Sequence, residues 1–108
     1  MENKLTKHEC EQYHISTQDH SWNTFTISPI GDLFIHGDWG YYCYNWRSAG
    51  DNFKEFLVSI NSEYFLAKIE SNISLHQKKK ITPTQKQKLI LFFEEFQKIL
   101  KQELTVKV

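Results

Sequence analysis

Apolar and polar residues alternate along one half of the chain and recur every three or four positions along the other. From Trp22 to Trp46 the sequence is rich in Thr, Ile, Phe, Tyr and Trp and is broken by Pro29, Gly31, Gly37 and Gly40. That is the pattern of short strands joined by tight turns. In Trp22–Ser28, Phe25 and Ile27 alternate with Thr24, Thr26 and Ser28, which leaves one apolar face. Pro29-Ile30-Gly31-Asp32 supplies a turn, Leu33–Gly37 a second strand, and Gly37-Asp38-Trp39-Gly40 a turn into Tyr41–Trp46. Glu9–Ser16, with Cys10, Tyr13 and Ile15, adds a weaker fourth strand. Connections this short make the neighbours antiparallel.

The strand Tyr41–Trp46 is aromatic on both sides: Tyr41, Cys43 and Asn45 point one way, Tyr42, Tyr44 and Trp46 the other. Either helices cover the Tyr42/Tyr44/Trp46 face, or the strand offers Tyr and Trp, the usual interface anchors, to a partner.

Beyond Gly50 the period changes. Asn52-Phe53-Lys54-Glu55 has the N-cap and third-position Glu of a capping box, and Phe53, Phe56, Leu57 and Ile60 follow at helical spacing, giving a helix near 52–61. Asn61-Ser62 caps a second, short helix with Tyr64, Phe65, Ile69 and Ile73 on one face. Thr82-Pro83-Thr84-Gln85 combines an N-cap Thr, a Pro at the first helical position and a third-position Gln. Leu89, Phe92, Phe93, Phe96, Ile99 and Leu100 then form a stripe opposite Glu94, Glu95, Lys98 and Lys101, in a helix running to about Leu104. A short sheet does not stand alone in water, so the stripe is expected to pack on it. Ile90 and Leu91 widen the stripe, for packing against the shorter helices or for a dimer contact.

The pattern therefore predicts one α+β domain over 1–108: an N-terminal antiparallel sheet of three to four strands, about 9–46, followed by three helices, about 52–104, the last long and packed on the sheet. The 108 residues, 40% hydrophobic and 15% aromatic, suffice for one core. No apolar run reaches 18 residues and the N-terminus has no signal-peptide pattern, so a soluble, cytosolic protein is expected. Cys10 and Cys43 read as free thiols. Thirteen cations against thirteen acids give a net charge of zero, which disfavours a broadly basic nucleic-acid binder. The neutrality is uneven: residues 1–50 hold three cations and six acids, residues 51–108 ten and seven, a split of −3 and +3.

Chemistry-bearing residues are sparse. His8, Cys10, His14 and His20 are the one collection of metal-ligating types, but the His8-x-Cys10 spacing is not that of zinc sites, and scattered surface histidines are the expectation. Asp19-His20-Ser21 are chain neighbours, which rarely meet in triad geometry. Cys43 beside His36 is a second conceivable pair, with a buried structural Cys the expected state. Asp32 and Asp38 read as turn residues. No catalytic signature, phosphate loop, cofactor motif or metal motif emerges, so an enzyme is not expected. His76–Lys88 holds Lys78, Lys79, Lys80, Lys86 and Lys88 and no acid, either a solvated connector or a contact for phosphates or an acidic protein surface.

The order Gly37, Trp39, Tyr42, Tyr44, Trp46, Gly50, Phe53, Phe56, Leu57, Tyr64-Phe65, Lys68 resembles a block of small proteins encoded by bacteriophages and prophages: an aromatic hairpin ending in Trp, a Gly, a helix with paired aromatics, then Tyr and Lys. It covers about a third of the chain and carries no catalytic signature. In size and composition the chain looks most like the anti-CRISPR group. The resemblance implies a stoichiometric inhibitor in the host cytoplasm, monomeric or homodimeric, that binds a host protein complex such as a CRISPR effector. Neutrality departs from the acidity of DNA-mimicking inhibitors. Asp38, Trp39, Tyr41, Tyr42 and Tyr44, with Lys78, Lys79 and Lys80, are the expected partner contacts. The alternative is a nucleic-acid-associated phage accessory protein using the lysines of 76–88.

Overall fold

A computed structural model describes residues 3–38, 40–76 and 80–106. Four strands, β1 (Glu11–Ser16), β2 (Trp22–Ile27), β3 (Asp32–Gly37) and β4 (Gly40–Asn45), precede three helices, α1 (Phe53–Ser59), α2 (Ser62–His76) and α3 (Pro83–Thr105). The strands form one antiparallel meander in the order β1-β2-β3-β4. The fold class is as the sequence predicts, and the weaker fourth strand is a full member of the sheet.

The turns follow their residue types. Between β2 and β3 the Ser28 hydroxyl accepts from the N–H groups of Ile30 and Asp32 and donates to the Asp32 carboxylate at 2.9 Å, an ST-turn arrangement. Asp32 also accepts from the Asn45 amide at 2.6 Å, which ties β4 to the same turn. Between β1 and β2 the Asp19 carboxylate takes up the Thr17 hydroxyl and the Ser21 N–H, and His20 stands at φ 68.

The helix starts are capped by the residues that announce them. Thr82 and Gln85 form the reciprocal capping box ahead of α3, at 3.2 and 3.0 Å, with Pro83 at the first position. Asn52 and Asn61 each accept from the N–H three residues on, at 3.2 and 2.7 Å; at α1 only this half of the expected box is formed. The second helix is not short: it spans 15 residues, because Phe65, Ile69 and Ile73, four apart, are all buried and extend the apolar stripe along β4.

All three helices lie on one side of the sheet. Phe25, Ile27, Leu33, Ile35, Tyr42 and Trp46 meet Leu57, Phe65, Ile69, Phe92, Phe93, Phe96 and Leu100 in the core. Phe96 stacks on Phe25 at 4.4 Å and meets Tyr13 edge-on at 5.3 Å, while Phe65 stacks on Phe93 at 3.8 Å. Of the two residues that widen the α3 stripe, Ile90 is half-buried and Leu91 exposed.

Candidate partner-binding surface

With the helices gathered on one side, the other face of the sheet is uncovered among the described residues. The parity of each strand decides what it carries: Gln12, His14 and Ser16 from β1, Trp22, Thr24 and Thr26 from β2, Asp32, Phe34 and His36 from β3, Tyr41, Cys43 and Asn45 from β4. Asp32, at the turn end of β3 and bonded to Ser28 and Asn45, is the one Lys, Arg, Asp or Glu among these side chains. Depletion of charge with enrichment in Trp, Tyr and Phe is the compositional mark of an interface centre.

The rings are arranged across the strands. The register sets His14 opposite Thr24, Thr24 opposite His36 and His36 opposite Tyr41. His14 lies 5.7 Å from Trp22, Trp22 meets His36 edge-on at 5.2 Å, and His36 stacks on Tyr41 at 4.5 Å and 7°. His14 Nδ1 is also 3.0 Å from the Thr24 hydroxyl. Cross-strand packing of this kind immobilises the rings before any partner arrives. Tyr41 is nevertheless 71% exposed and Phe34 51%, so both keep apolar surface for a contact to remove from water.

The expected contact residues divide between the two faces. Tyr41 lies on the open face. Tyr42 is 7% exposed and belongs to the core, where burial pushes its hydroxyl pKa up; as a partner contact it is corrected. Tyr44 is half-buried on the helix side, 4.6 Å from Trp46, with the Lys68 ammonium 5.8 Å above its ring. The helices thus cover the Tyr42/Tyr44/Trp46 face, and the open aromatic face is the one that begins with Tyr41. Asp38 is exposed at the β3–β4 turn, its carboxylate 3.5 Å from the Trp22 N–H. Lys80 is exposed and shares a shallow cavity of about 260 Å³ with Gly40, Tyr41, Ile81 and Gln85. Trp39, Lys78 and Lys79 lie outside the described residues.

Sequence reasoning missed Trp22, Phe34 and His36 as members of this face, and took His14 only as a scattered surface histidine. The signal was there in part, since Trp22 shares parity with Thr24 and Thr26 and so opposes Phe25 and Ile27. Cys43 is exposed, not buried, because odd positions of β4 face outward; it stands opposite Phe34, not His36. Among the described residues no three His, Cys, Asp or Glu side chains are grouped so as to hold a metal ion.

A charged cluster at one end of the sheet is structural. The Lys54 ammonium lies 2.7 Å from Glu11 and 3.1 Å from Glu103, and the Tyr13 hydroxyl donates to the same carboxylates at 2.8 and 2.7 Å, joining β1, α1 and α3. Hydrogen bonds from Lys54 and then Tyr13 hold the Glu11 carboxyl below its ordinary 4.5. Asp19 shifts the same way, through the Thr17 hydroxyl, the Ser21 N–H and Lys88. Burial works against the Lys54 charge, but its bonds to Glu11 and Glu103 outweigh it and raise its pKa. Depressed carboxyl pKa values contribute stability that is present above the ordinary value and lost as pH falls through the folded one; a raised lysine contributes below its ordinary value and loses that only at alkaline pH. Thermal melts should therefore show the midpoint falling as pH drops below about 4.5, and more shallowly in Glu11→Gln. An equally steep fall in the variant would count against this assignment.

Compared with family models, the chain matches over residues 3–104 a family described as a phage family, Phage_phiTE_072, and it belongs to that family. No curated protein and no solved structure matches the chain. Among the described residues, no helix is long and apolar enough to cross a membrane.

Proposed function

We propose that this phage-family protein is a small inhibitor that binds a host protein complex stoichiometrically through the open face of its sheet, with a CRISPR effector as the target class. It acts in the host cytoplasm by occupation, without catalysis or cofactor. The observation that carries the reading is the charge-poor face on which Trp22, His36 and Tyr41 are locked together beside exposed Phe34. Tyr and Trp held rigidly lose little conformational entropy on binding and dominate interface energetics. The helix side, by contrast, is committed to the core.

The test is plaque formation by a targeted phage on a host with active CRISPR interference. Expression of the wild-type protein is expected to restore plaquing. The combined Trp22→Ala, Phe34→Ala and Tyr41→Ala variant is expected to lose at least tenfold of that protection while keeping its cooperative melt. Full protection by the folded variant would remove the surface assignment, and absence of protection by the wild type would remove the target class. Lys80 beside Tyr41 favours a second reading, a single-strand contact with phosphates on the lysine and bases on the ring. Binding to random single strands with a steep salt slope would replace the first reading by this one.

A further inference from the structure

The helices treat the two edges of the sheet differently. At β4 the Cys43 carbonyl faces outward and accepts from the Asn72 amide at 2.9 Å, so α2 blunts that edge. Among the described residues β1, the other edge of the sheet, has no such cover. The Thr17 N–H bonds the Ser21 carbonyl at 2.9 Å; with the register Ile15↔Asn23 and Tyr13↔Phe25, odd positions of β1 bond to β2 and the backbone of Gln12, His14 and Ser16 turns away. Among the described residues none of these N–H and C=O groups has a hydrogen-bond partner. The strand, Glu-Gln-Tyr-His-Ile-Ser, lacks the lysines, prolines and bulges that guard exposed edges, and its one acid, Glu11, is taken up by Lys54.

A groove continues from this edge. One flank of α3 is given to the other helices, with Phe93 on Phe65 and the Gln97 amide donating to the carbonyls of Leu57 and Ile60. The opposite flank carries Lys88, Leu91 and Glu95. Between it and the β1–β2 turn lies a groove of about 500 Å³ with Leu91 and Phe92 in its floor, and Leu91 is 54% exposed.

We infer that the free edge of β1 is a strand-addition site for an extended segment of a target protein, which pairs with the backbone of Gln12, His14 and Ser16 and sets an apolar side chain beside Leu91. This deepens the reading above and rests on it for the partner being a protein. Donors and acceptors alternating every second residue, roughly 6.8 Å apart, are matched by another strand, whereas phosphates offer acceptors only. A second copy of this chain paired about a two-fold would set His14 against His14; it is an outcome of the test.

The probe is a yeast-displayed library of randomised nine-residue peptides, selected against the full chain. Selected peptides are expected to alternate apolar residues, to slow amide exchange at Gln12, His14 and Ser16, and to bind His14→Pro at least tenfold more weakly. That N–H points away from the sheet, so proline leaves the internal ladder intact; Ser16→Pro, with the same geometry, replaces it if His14→Pro melts early. No enrichment, equal binding to the proline variants, or a dimer in sedimentation with those amides already protected would each overturn the inference. Tyr41→Ala should leave peptide binding unchanged, so failure of the edge and failure of the open face are read separately.

Discussion

Phe96→Ala is expected to cost about 3–5 kcal/mol, the range for deleting a fully buried aromatic side chain. Phe96 is 0% exposed, stacked on Phe25 and edge-on to Tyr13, so it is the ring by which α3 seats on the first two strands. The surrounding residues come from three elements and cannot all move in to fill the space, which puts the loss toward the upper part of the range. At about 4–8 °C per kcal/mol for a domain of this size, the thermal midpoint should fall by at least about 12 °C. Leu91→Ala, on the same helix but exposed, should change stability by no more than about 0.5 kcal/mol. Melts of the two proteins side by side test the packing of α3. A Phe96→Ala midpoint within a few degrees of wild type would mean that the helix does not rest on the sheet there.

That helix was legible in the sequence because every local signal agreed: cap, first-position proline, third-position Gln and a stripe of apolar residues at one spacing. β2 was legible for the same reason, with Thr alternating against Phe25 and Ile27. β4 was not. Tyr41, Tyr42, Tyr44 and Trp46 are aromatic at both parities, so alternation could separate its faces but could not say which one the helices take. Tertiary packing decides it, through Trp46, whose ring lies 6.0 Å from Phe53 and 5.7 Å from Phe56 of α1. Once that side is occupied, Tyr41 and Cys43 are left outside.

The candidate surface was less readable than the fold because its members come from four strands. His14, Trp22, His36 and Tyr41 meet only through the register of three hairpins, and no spacing along the chain announces them. Asn23 shows the converse. It is a polar residue, 2% exposed, at a core-facing position, and its place follows from the residue opposite it, Gly37. A Cβ on that glycine would overlap the Asn23 carboxamide. A buried amide across from a glycine is a pair that pattern reasoning, working on one strand at a time, has no means to see.

A second glycine should be nearly as costly to change as Phe96. Gly31 has φ +92, and a Cβ there would overlap the backbone carbonyl oxygen of Trp46, while its own carbonyl accepts from the Trp46 N–H at 2.9 Å. Gly31→Ala therefore carries two penalties. The backbone conformation costs an L-residue roughly 1–2 kcal/mol, and the clash is with main chain that cannot rotate aside. Relief requires the β2–β3 turn or the end of β4 to shift, which disturbs the Trp46 contacts that hold α1 to the sheet. A combined loss of about 2–4 kcal/mol is expected, seen as an earlier denaturant midpoint at unchanged slope. Gly50→Ala separates the two terms: Gly50 has φ +85, but a Cβ there meets nothing within 4 Å. It should lose only the conformational part, about 1–2 kcal/mol. Equal losses at the two positions would show that the approach of Gly31 to Trp46 contributes nothing, and that the hairpin is joined to β4 by hydrogen bonding alone.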